Sequence, residues 1–214
     1  AIWEHTNKKL FVARDRMGIK PLYFNSTTKA FTFASNSQAL LTQEIDRSVN
    51  PIALQQQLSL HGVVPAPNTI IKGIQKLKPG SYMILKSDGQ IQEKTYWRPN
   101  AKRPDREVSN EEYIERTHEL LTAAVTKRMN ASDVPIGVLL SGGLDSSLIV
   151  ALLKEAGHER IRTFSIGFED IDDEAGSEFE YSDQIVSRFK TEHKKYKVSN
   201  QEVLPRLSEA VLHM

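Results

Sequence analysis

The sequence predicts an α+β part built on an antiparallel sheet, followed by an α/β part built on a parallel sheet. Short β-rich runs separated by turn residues fill the first part. Residues 98–107 then carry two prolines, charged and polar side chains and almost no apolar ones, which is typical of a linker. After the linker, strand-like and helical segments alternate, and this order favours a parallel sheet covered by helices on both faces. We therefore expect one domain at residues 1–100 and a second at residues 107–214.

The first domain is predicted to contain short antiparallel strands and a short helix. Strands are expected at residues 10–13, 21–24 and 30–34. Strand-like runs also flank Asp88-Gly89, and this pair supplies the positive φ angles that a tight hairpin turn requires. Pro51 and Gly62 bracket the helix, because proline suits the first helical turn and glycine suits the position after the last one.

The second domain is predicted to open with a capped helix. Ser109 and Glu112 have the spacing of a capping box, and Ile114, Leu121 and Val125 line one face of the helix that follows. Strands are then expected at residues 134–140, 161–168 and 193–198, and helices at residues 146–157, at residues 179–189 and after a cap formed by Ser199 and Glu202.

Composition excludes several classes of function. Lys plus Arg total 28 and Asp plus Glu total 27, so the formal charge of +1 lacks the basic excess of a nucleic-acid-binding surface. The chain contains no cysteine, which excludes disulfides, thiolate metal sites and a cysteine nucleophile within these residues. Its six histidines lack the spacing of metal ligands. No apolar run approaches the roughly 20 residues that span a bilayer, so we expect no membrane contact.

A compact polar cluster interrupts an apolar segment of the second domain. The sequence SGGLDSS, residues 141–147, lies where a predicted parallel strand ends and a helix begins, and ligands bind at this edge of an α/β sheet. Gly142 and Gly143 allow backbone N–H groups to turn toward a ligand, next to the positive end of the helix dipole. Further donors for phosphate oxygens are the hydroxyls of Ser141, Ser146 and Ser147. Asp145 would repel a phosphate unless a divalent cation lies between them, and Mg²⁺ suits that position.

Other phosphate-binding patterns fit this cluster less well. A Walker A loop ends in Gly-Lys-Ser or Gly-Lys-Thr, and the dinucleotide pattern separates its glycines, whereas here the glycines are adjacent. SGGLDSS instead resembles the PP-loop of ATP pyrophosphatases, which cleave ATP between its α and β phosphates. The alternative is an ordinary Gly-Ser turn at a helix start. The apolar strand before the cluster, Asp145 within it and the βαβ pattern after it argue against that alternative.

The chain as a whole resembles the glutamine-dependent asparagine synthetase family. VLLSGGLDSS, TFSIGF and TEH are similar to the synthetase domain of the family, while ARDRMGIKPLYF, FASNSQALL and IKGIQKLKPGSYMIL are similar to the later half of its glutaminase domain. These blocks span nearly the whole chain in the expected order. The resemblance implies part of an N-terminal-nucleophile-type antiparallel sheet domain, followed by part of a PP-loop, Rossmann-like parallel α/β domain.

The resemblance also implies an activity and a set of site residues. In this family ATP adenylates a carboxylate such as aspartate, and ammonia from glutamine then displaces AMP to give an amide. Pyrophosphate and Mg²⁺ would be held by Ser141, Gly142, Gly143, Asp145, Ser146 and Ser147, with Asp145 as the metal ligand. The main chains of Leu139 and Ile166 would lie beside adenine and ribose, with their side chains packed in the core. The family resemblance further implies a cytoplasmic protein and allows a homodimer.

The chain departs from the family pattern at several points. The glutaminase nucleophile of the family is an amino-terminal cysteine, so no catalytic glutaminase residue is expected within this sequence. The sequence starts without Met and stops before the family's Ser-Gly-Glu-Gly nucleotide-binding segment, so we expect a fragment that is inactive alone. Asn36 replaces the usual glutamate of the family's Phe-Ala-Ser-Glu run, which leaves the role of that acid open.

Alternatives remain for function and for two charged segments. The acidic segment, residues 165–183, is predicted to be a solvated loop. The alternative is that it shapes the site for a different carboxylate substrate, since EFEYSD is similar to amidotransferases of acylated glutamine dipeptides. Other functions are a different PP-loop chemistry, such as β-lactam formation or tRNA thiolation, and nucleotide binding without turnover. RDRMGIKP, residues 14–21, either contacts phosphate through Arg14, Arg16 and Lys20 or, as we expect, forms a strand connection stabilised by Asp15. Residues 190–197 predict an edge-like strand with a solvated face.

Overall fold

The structure is a computed structural model and describes residues 1–169 and 177–213. The chain divides into two compact units, Ala1–Arg103 and Pro104–Met214. The expected sheet types are both present, antiparallel in the first unit and parallel in the second. None of the described helices combines the length and the apolar character that a membrane crossing requires.

The first unit consists of antiparallel strands and short helices. Its elements are β1 (Ile2–Glu4), β2 (Lys9–Ala13), β3 (Tyr23–Ser26), β4 (Phe31–Ala34), α1 (Ser37–Leu40), α2 (Pro51–Ser59), β5 (Gln75–Lys76), β6 (Ser81–Leu85) and β7 (Ile91–Thr95). One sheet has the strand order β1-β2-β6-β7 and a second has the order β4-β3-β5. Phe24 of β3, Met83 of β6 and Leu77 form a buried cluster, so apolar side chains from both sheets share this core.

The strands and the helix predicted for this unit are confirmed, with small shifts. β3 begins at Tyr23, two residues after the predicted start, because Pro21 lacks the N–H group that a β-ladder uses. Gly62 follows α2 at φ +84, as expected for a residue beyond a helix end. β6 and β7 form the predicted hairpin, but only Gly89 of the Asp-Gly pair adopts a positive φ, +83. Its N–H donates to the Lys86 carbonyl at 3.0 Å.

The RDRMGIKP segment is a strand connection, as expected. The Arg14 guanidinium donates to the backbone carbonyls of Leu77 at 2.6 Å, Gly18 at 2.7 Å and Lys20 at 3.1 Å. The Asp15 carboxylate accepts the N–H of Lys20 at 2.9 Å, and this bond is the main reason that the pKa of Asp15 is lowered. Because the guanidinium is bound to the chain's own carbonyls, the segment stabilises the fold rather than presenting Arg14 to a phosphate.

The second unit alternates helices with parallel strands. Its elements are α3 (Asn110–Asn130), β8 (Gly137–Leu139), α4 (Leu144–Glu155), β9 (Arg162–Phe168), α5 (Phe179–Phe189), β10 (Glu192–Val198) and α6 (Asn200–His213). The described sheet has the order β10-β9-β8, and both strand pairs are parallel. The predicted α/β class is therefore confirmed. β8 is shorter than the predicted strand, residues 134–140, since residues 134–136 and Leu140 lie outside it.

One face of the described sheet is covered, so the expectation of helices on both faces is wrong for this part of the chain. Val138 and Leu140 pack in one buried cluster with Val150 and Leu153 of α4, and side chains of α3 and α5 pack against it. Alternate residues of β9 are buried on this face, namely Thr163, Ser165 and Gly167. Of the two residues between them, Phe164 is half-buried and Ile166 is exposed, and Phe168 after Gly167 is exposed as well.

The predicted capping box of α3 forms only in part, whereas the basic run is exposed as predicted. Ser109 Oγ accepts the N–H of Glu112 at 3.2 Å, but the Glu112 carboxylate accepts from Arg106 at 2.9 Å, so only half of the predicted capping box forms. The hydrogen bond from Arg106 lowers the pKa of Glu112. The basic run lies on β10, an edge of the described sheet, and is exposed as expected. Two predictions fall outside the described part of the chain. They concern the Glu202 side chain of the α6 cap and residues 170–176 of the acidic segment.

His193 lies on the covered face of β10 and is partly buried. Its Nδ1 is 2.8 Å from the Thr163 hydroxyl, which is also 2.8 Å from the Thr191 hydroxyl. Its Nε2 is buried and has no hydrogen-bond partner among the described residues. Burial lowers the pKa of His193, the Asp183 carboxylate opposes this shift and the charge of Lys195 adds to it. The folded state therefore favours the neutral imidazole.

We expect acid to destabilise the second unit through His193. The unfolded chain binds this proton more tightly, so the contribution of the neutral ring is complete above the unfolded pKa of 6.5 and is lost as the pH falls below it. Thermal unfolding from about pH 7.5 to about pH 5.5 should show a falling Tm, and His193→Gln should flatten that fall. His118→Gln, at an exposed histidine of the same unit, should not flatten it. Equal flattening by both variants would contradict the assignment.

Candidate active site

The SGGLDSS loop, residues 141–147, leaves the sheet from a fixed point at the carboxyl end of β8. Leu140 is buried, and both of its backbone polar groups are bound by β9. Its N–H donates to the Phe164 carbonyl at 2.8 Å, and its carbonyl accepts a hydrogen bond from the Ser165 hydroxyl. The next residue, Ser141, begins the loop, and α4 begins at Leu144. The loop therefore runs from a fixed strand end to a helix N-terminus, as the sequence predicts.

Gly142 is the position in the loop where a side chain is excluded. Its φ is +88, which L-residues with a side chain rarely adopt. A Cβ added there would lie 2.5 Å from the backbone nitrogen of Ser182 and 2.5 Å from the Cβ of Tyr181. The first turn of α5 thus packs directly on the loop. Gly143 differs, because it has φ −70 as the N-cap of α4, and an added Cβ would meet only the Ser141 hydroxyl, at 3.4 Å.

The loop hydroxyls are bonded mostly within the loop. Ser141 Oγ accepts the N–H of Gly143 at 3.2 Å and lies 3.1 Å from Ser146 Oγ, which is also 3.3 Å from the Gly143 carbonyl. Ser147 Oγ is buried and has no hydrogen-bond partner within the described part of the chain. The cluster expected from the sequence is therefore assembled, with one hydroxyl donor left unused.

Asp145 is exposed in the first turn of α4, and this turn contains the only carboxylate of the loop. A carboxylate is stabilised there by the positive end of the helix dipole. The described residues contain no group of three His, Cys, Asp or Glu side chains that could hold a metal by themselves. The donor set nevertheless fits Mg²⁺, which commonly takes one or two carboxylates together with phosphate oxygens and waters.

Leu139 and Ile166 flank the loop, and their side chains are 72 % and 59 % exposed. The expectation that these side chains pack in the core is therefore wrong, because they lie on the uncovered face of the sheet. Their main chains are well placed for a ligand. Since the Leu140 N–H points to β9, the polar groups of Leu139 point to the open edge of β8. Those of Ile166 point to the β8 side, beyond the last strand pair, Leu139↔Phe164.

A cavity of about 340 Å³ lies beside the loop, and its walls come from β9 and the start of α5 as well. The lining residues outside the loop that sequence reasoning did not assign are Leu140, Ser165, Ser177, Glu178, Phe179 and Ser182. Glu178 and Ser182 belong to the run EFEYSD, residues 178–183. No local pattern shows, however, that these residues meet a loop about forty positions earlier in the chain.

Asn36, which stands where the family usually has glutamate, has a structural role in the first unit. Its side-chain oxygen accepts the N–H of Ala39 at 2.8 Å and makes Asn36 the N-cap of α1. Asparagine is among the most favourable N-cap residues. The substitution therefore preserves the start of this helix.

Comparison with known proteins relates each unit to a family. Residues 1–97 match the family model described as glutamine amidotransferase domain, and residues 116–214 match the one described as asparagine synthase. The matches fall on either side of the unit boundary after Arg103.

Relatives with similar sequences include two named as asparagine synthetases. The chain is 34 % identical over 212 residues to glutamine-hydrolysing asparagine synthetase 1 of Bacillus subtilis, covering 99 % of this chain and 32 % of that protein. It is 35 % identical to a putative glutamine-hydrolysing asparagine synthetase of Methanocaldococcus jannaschii, covering 91 % of this chain and 37 % of that protein. An amidase of Gibberella zeae is 30 % identical over 71 % of this chain and 22 % of its own length. The chain thus spans about a third of the length of the curated asparagine synthetases it matches.

Proposed function

The chain belongs to the glutamine-hydrolysing asparagine synthetase family, and we propose that it forms part of an ATP-dependent carbon–nitrogen ligase. The proposed reaction joins ammonia from glutamine to the side-chain carboxylate of aspartate, giving asparagine, AMP and pyrophosphate. The observation that carries the proposal is the SGGLDSS loop itself. It leaves the carboxyl end of β8 beside a cavity, it is packed against α5, and it presents glycine backbone, serine hydroxyls and Asp145 at the start of α4.

We assign residues 1–100 to the later part of a glutaminase domain and residues 107–214 to the first part of an ATP-pyrophosphatase domain. The ranges matched by the two families, 1–97 and 116–214, support this division. Hydrolysis of glutamine by a thiol requires a cysteine, and these 214 residues contain none. The first unit therefore contributes framework to the glutaminase and not its nucleophile.

In the proposed mechanism the loop binds the pyrophosphate that leaves ATP. The backbone N–H groups of Gly142 and the first turn of α4 offer their partial positive charges to the phosphates. The Gly143 N–H exchanges its hydrogen bond to Ser141 Oγ for a phosphate oxygen. Ser141 and Ser146 exchange their mutual hydrogen bond for bonds to phosphate oxygens, and Ser147 adds the hydroxyl that has no partner in the described residues. These groups act by orientation and by stabilising the charge that develops on the leaving group.

Asp145, Leu139 and Ile166 complete the proposed ATP site. The Asp145 carboxylate would hold Mg²⁺, and the ion would offset the negative charge of the phosphates. The main-chain groups of Leu139 and Ile166 bind adenine and ribose. In support of this role, those of Leu139 point away from β9, and those of Ile166 point to the β8 side beyond the last β8–β9 pair. A cytoplasmic location and a homodimer stay predictions from the family resemblance.

Substrate-dependent release of pyrophosphate tests this function. We expect the full-length polypeptide that carries these residues to release pyrophosphate from ATP and Mg²⁺ when aspartate and either ammonia or glutamine are supplied, with one asparagine formed per pyrophosphate. A mixture without an acid gives the background rate. Release with an acylated glutamine dipeptide but not with aspartate would reassign the carboxylate substrate. If the polypeptide binds nucleotide but releases no pyrophosphate with any acid, the result would favour a nucleotide-binding module that does not catalyse the reaction.

The residues that line the cavity beside the loop support a second candidate, a carboxylate substrate other than aspartate. Ser177 and Glu178 line this cavity, and both lie in the acidic segment, residues 165–183. A carboxylate such as that of Glu178 repels an acidic substrate and attracts a donor group or a cation. Side chains of this segment thus stand where they can discriminate between acids.

A further inference from the structure

Ser165 makes an unusual side-chain contact at the point where the loop leaves the sheet. It is only 4 % exposed and lies on the covered face of β9. Its hydroxyl donates to the backbone carbonyl of Leu140. The paired register of β8 and β9 ends one residue earlier, at Leu139↔Phe164, so this side chain extends the connection between the strands by one more hydrogen bond.

The Leu140 carbonyl controls the orientation of the first peptide group of the loop. The carbonyl of Leu140 and the N–H of Ser141 belong to one rigid plane. A hydrogen bond that holds the carbonyl therefore also fixes the direction of the Ser141 N–H and the starting angle of the loop. Leu140 is itself buried, so without Ser165 its carbonyl would lose its partner in a place where that loss is costly.

We propose that Ser165 is a positioning residue for the phosphate-binding loop. It acts through the Leu140 carbonyl and sets the geometry in which the SGGLDSS backbone and hydroxyls meet pyrophosphate. The inference rests on the proposed function, because it requires this loop to bind phosphates. It adds a determinant that lies on the neighbouring strand, 18 to 24 residues after the loop, outside the SGGLDSS pattern.

Removing the hydroxyl tests the proposal, and the same strand offers a matched control. In the full-length polypeptide, Ser165→Ala should weaken pyrophosphate–Mg²⁺ binding and lower kcat/KM for ATP by about tenfold, the size expected for one lost hydrogen bond to a buried backbone group. Thr163→Val removes another buried hydroxyl from the same face of β9, two residues earlier, where it contacts Thr191 and His193 instead of the loop. That variant should lose stability but keep both values within about twofold of the wild type. Ser165→Thr retains a hydroxyl and should therefore keep most of the wild-type pyrophosphate affinity and kcat/KM for ATP.

Calorimetric binding of pyrophosphate and a thermal melt of each variant separate the outcomes. A wild-type affinity in Ser165→Ala, or an equal loss in Thr163→Val, would overturn the positioning role, whether or not the enzyme is active. Absence of aspartate-dependent turnover, with pyrophosphate still bound and weakened by Ser165→Ala, would overturn the proposed function and leave the positioning role supported. If the wild type binds no pyrophosphate, both ideas fail.

Discussion

Gly142→Ala is expected to weaken pyrophosphate binding by the loop on the order of 10²-fold. At φ +88 an alanine costs about 1–2 kcal/mol in backbone strain alone. Its Cβ would also lie 2.5 Å from the backbone nitrogen of Ser182, so either the loop or the first turn of α5 must move. Displacements of about 1 Å in binding machinery cost on the order of 10²-fold. Calorimetric titration of pyrophosphate with Mg²⁺ measures this loss, and a thermal melt measures the accompanying loss of stability.

Gly157→Ala separates steric contact from backbone strain. Gly157 follows α4 with the same φ, +88, but an added Cβ there would meet no atom within 4 Å. The variant should therefore lower the stability of the unit by about 1–2 kcal/mol and leave pyrophosphate affinity unchanged. Equal affinities for Gly142→Ala and the wild type would show that α5 does not constrain the loop.

Asp145→Asn is expected to lower kcat/KM for ATP in the full-length polypeptide by at least about 10²-fold, because a preorganised charge at the leaving group is worth that much or more. Asparagine has nearly the same shape, so the start of α4 should remain intact. The variant should also lose the Mg²⁺ dependence of pyrophosphate binding. Steady-state pyrophosphate release over a range of Mg²⁺ concentrations, together with titrations with and without Mg²⁺, measures both effects.

Glu111→Gln provides the control for loss of a carboxylate at a helix start. Glu111 lies in the first turn of α3 and is exposed, like Asp145 in the first turn of α4. Each variant loses a favourable interaction with its helix dipole. Only Asp145→Asn should change the Mg²⁺ dependence. If Asp145→Asn kept wild-type turnover and the same Mg²⁺ requirement, another residue would have to hold the metal.

Local patterns predict most of the elements but not how residues far apart in the chain meet. The α5 helix was predicted at the observed residues 179–189, because its apolar periodicity and the breaks at each end are local signals. The prediction for β3 starts too early because it includes Pro21, although proline has no N–H group to donate to a β-ladder. The capping box was half wrong because Arg106 competes for the Glu112 carboxylate. Such competition depends on side chains beyond the motif.

The candidate site shows the same division. SGGLDSS could be located from sequence because strand, glycines and helix adjoin one another in the chain. The exposure of Leu139 and Ile166 could not, since an apolar residue in a strand reads the same on a covered and an uncovered face. Ser165 was also missed, because its contact with Leu140 crosses between strands and a serine in a β-rich run carries no signal of that bond.

The contact between Gly142 and the first turn of α5 joins parts of the chain about forty positions apart. A short peptide that contains only the loop, β8 and α4 would therefore lack the contact with α5 that holds the loop in shape. The loop acquires its final form only when α5 has packed onto it. A phosphate ligand that recognises this form would stabilise the contact between the loop and α5 by mass action, so amide-exchange protection in α5 should rise when pyrophosphate is added.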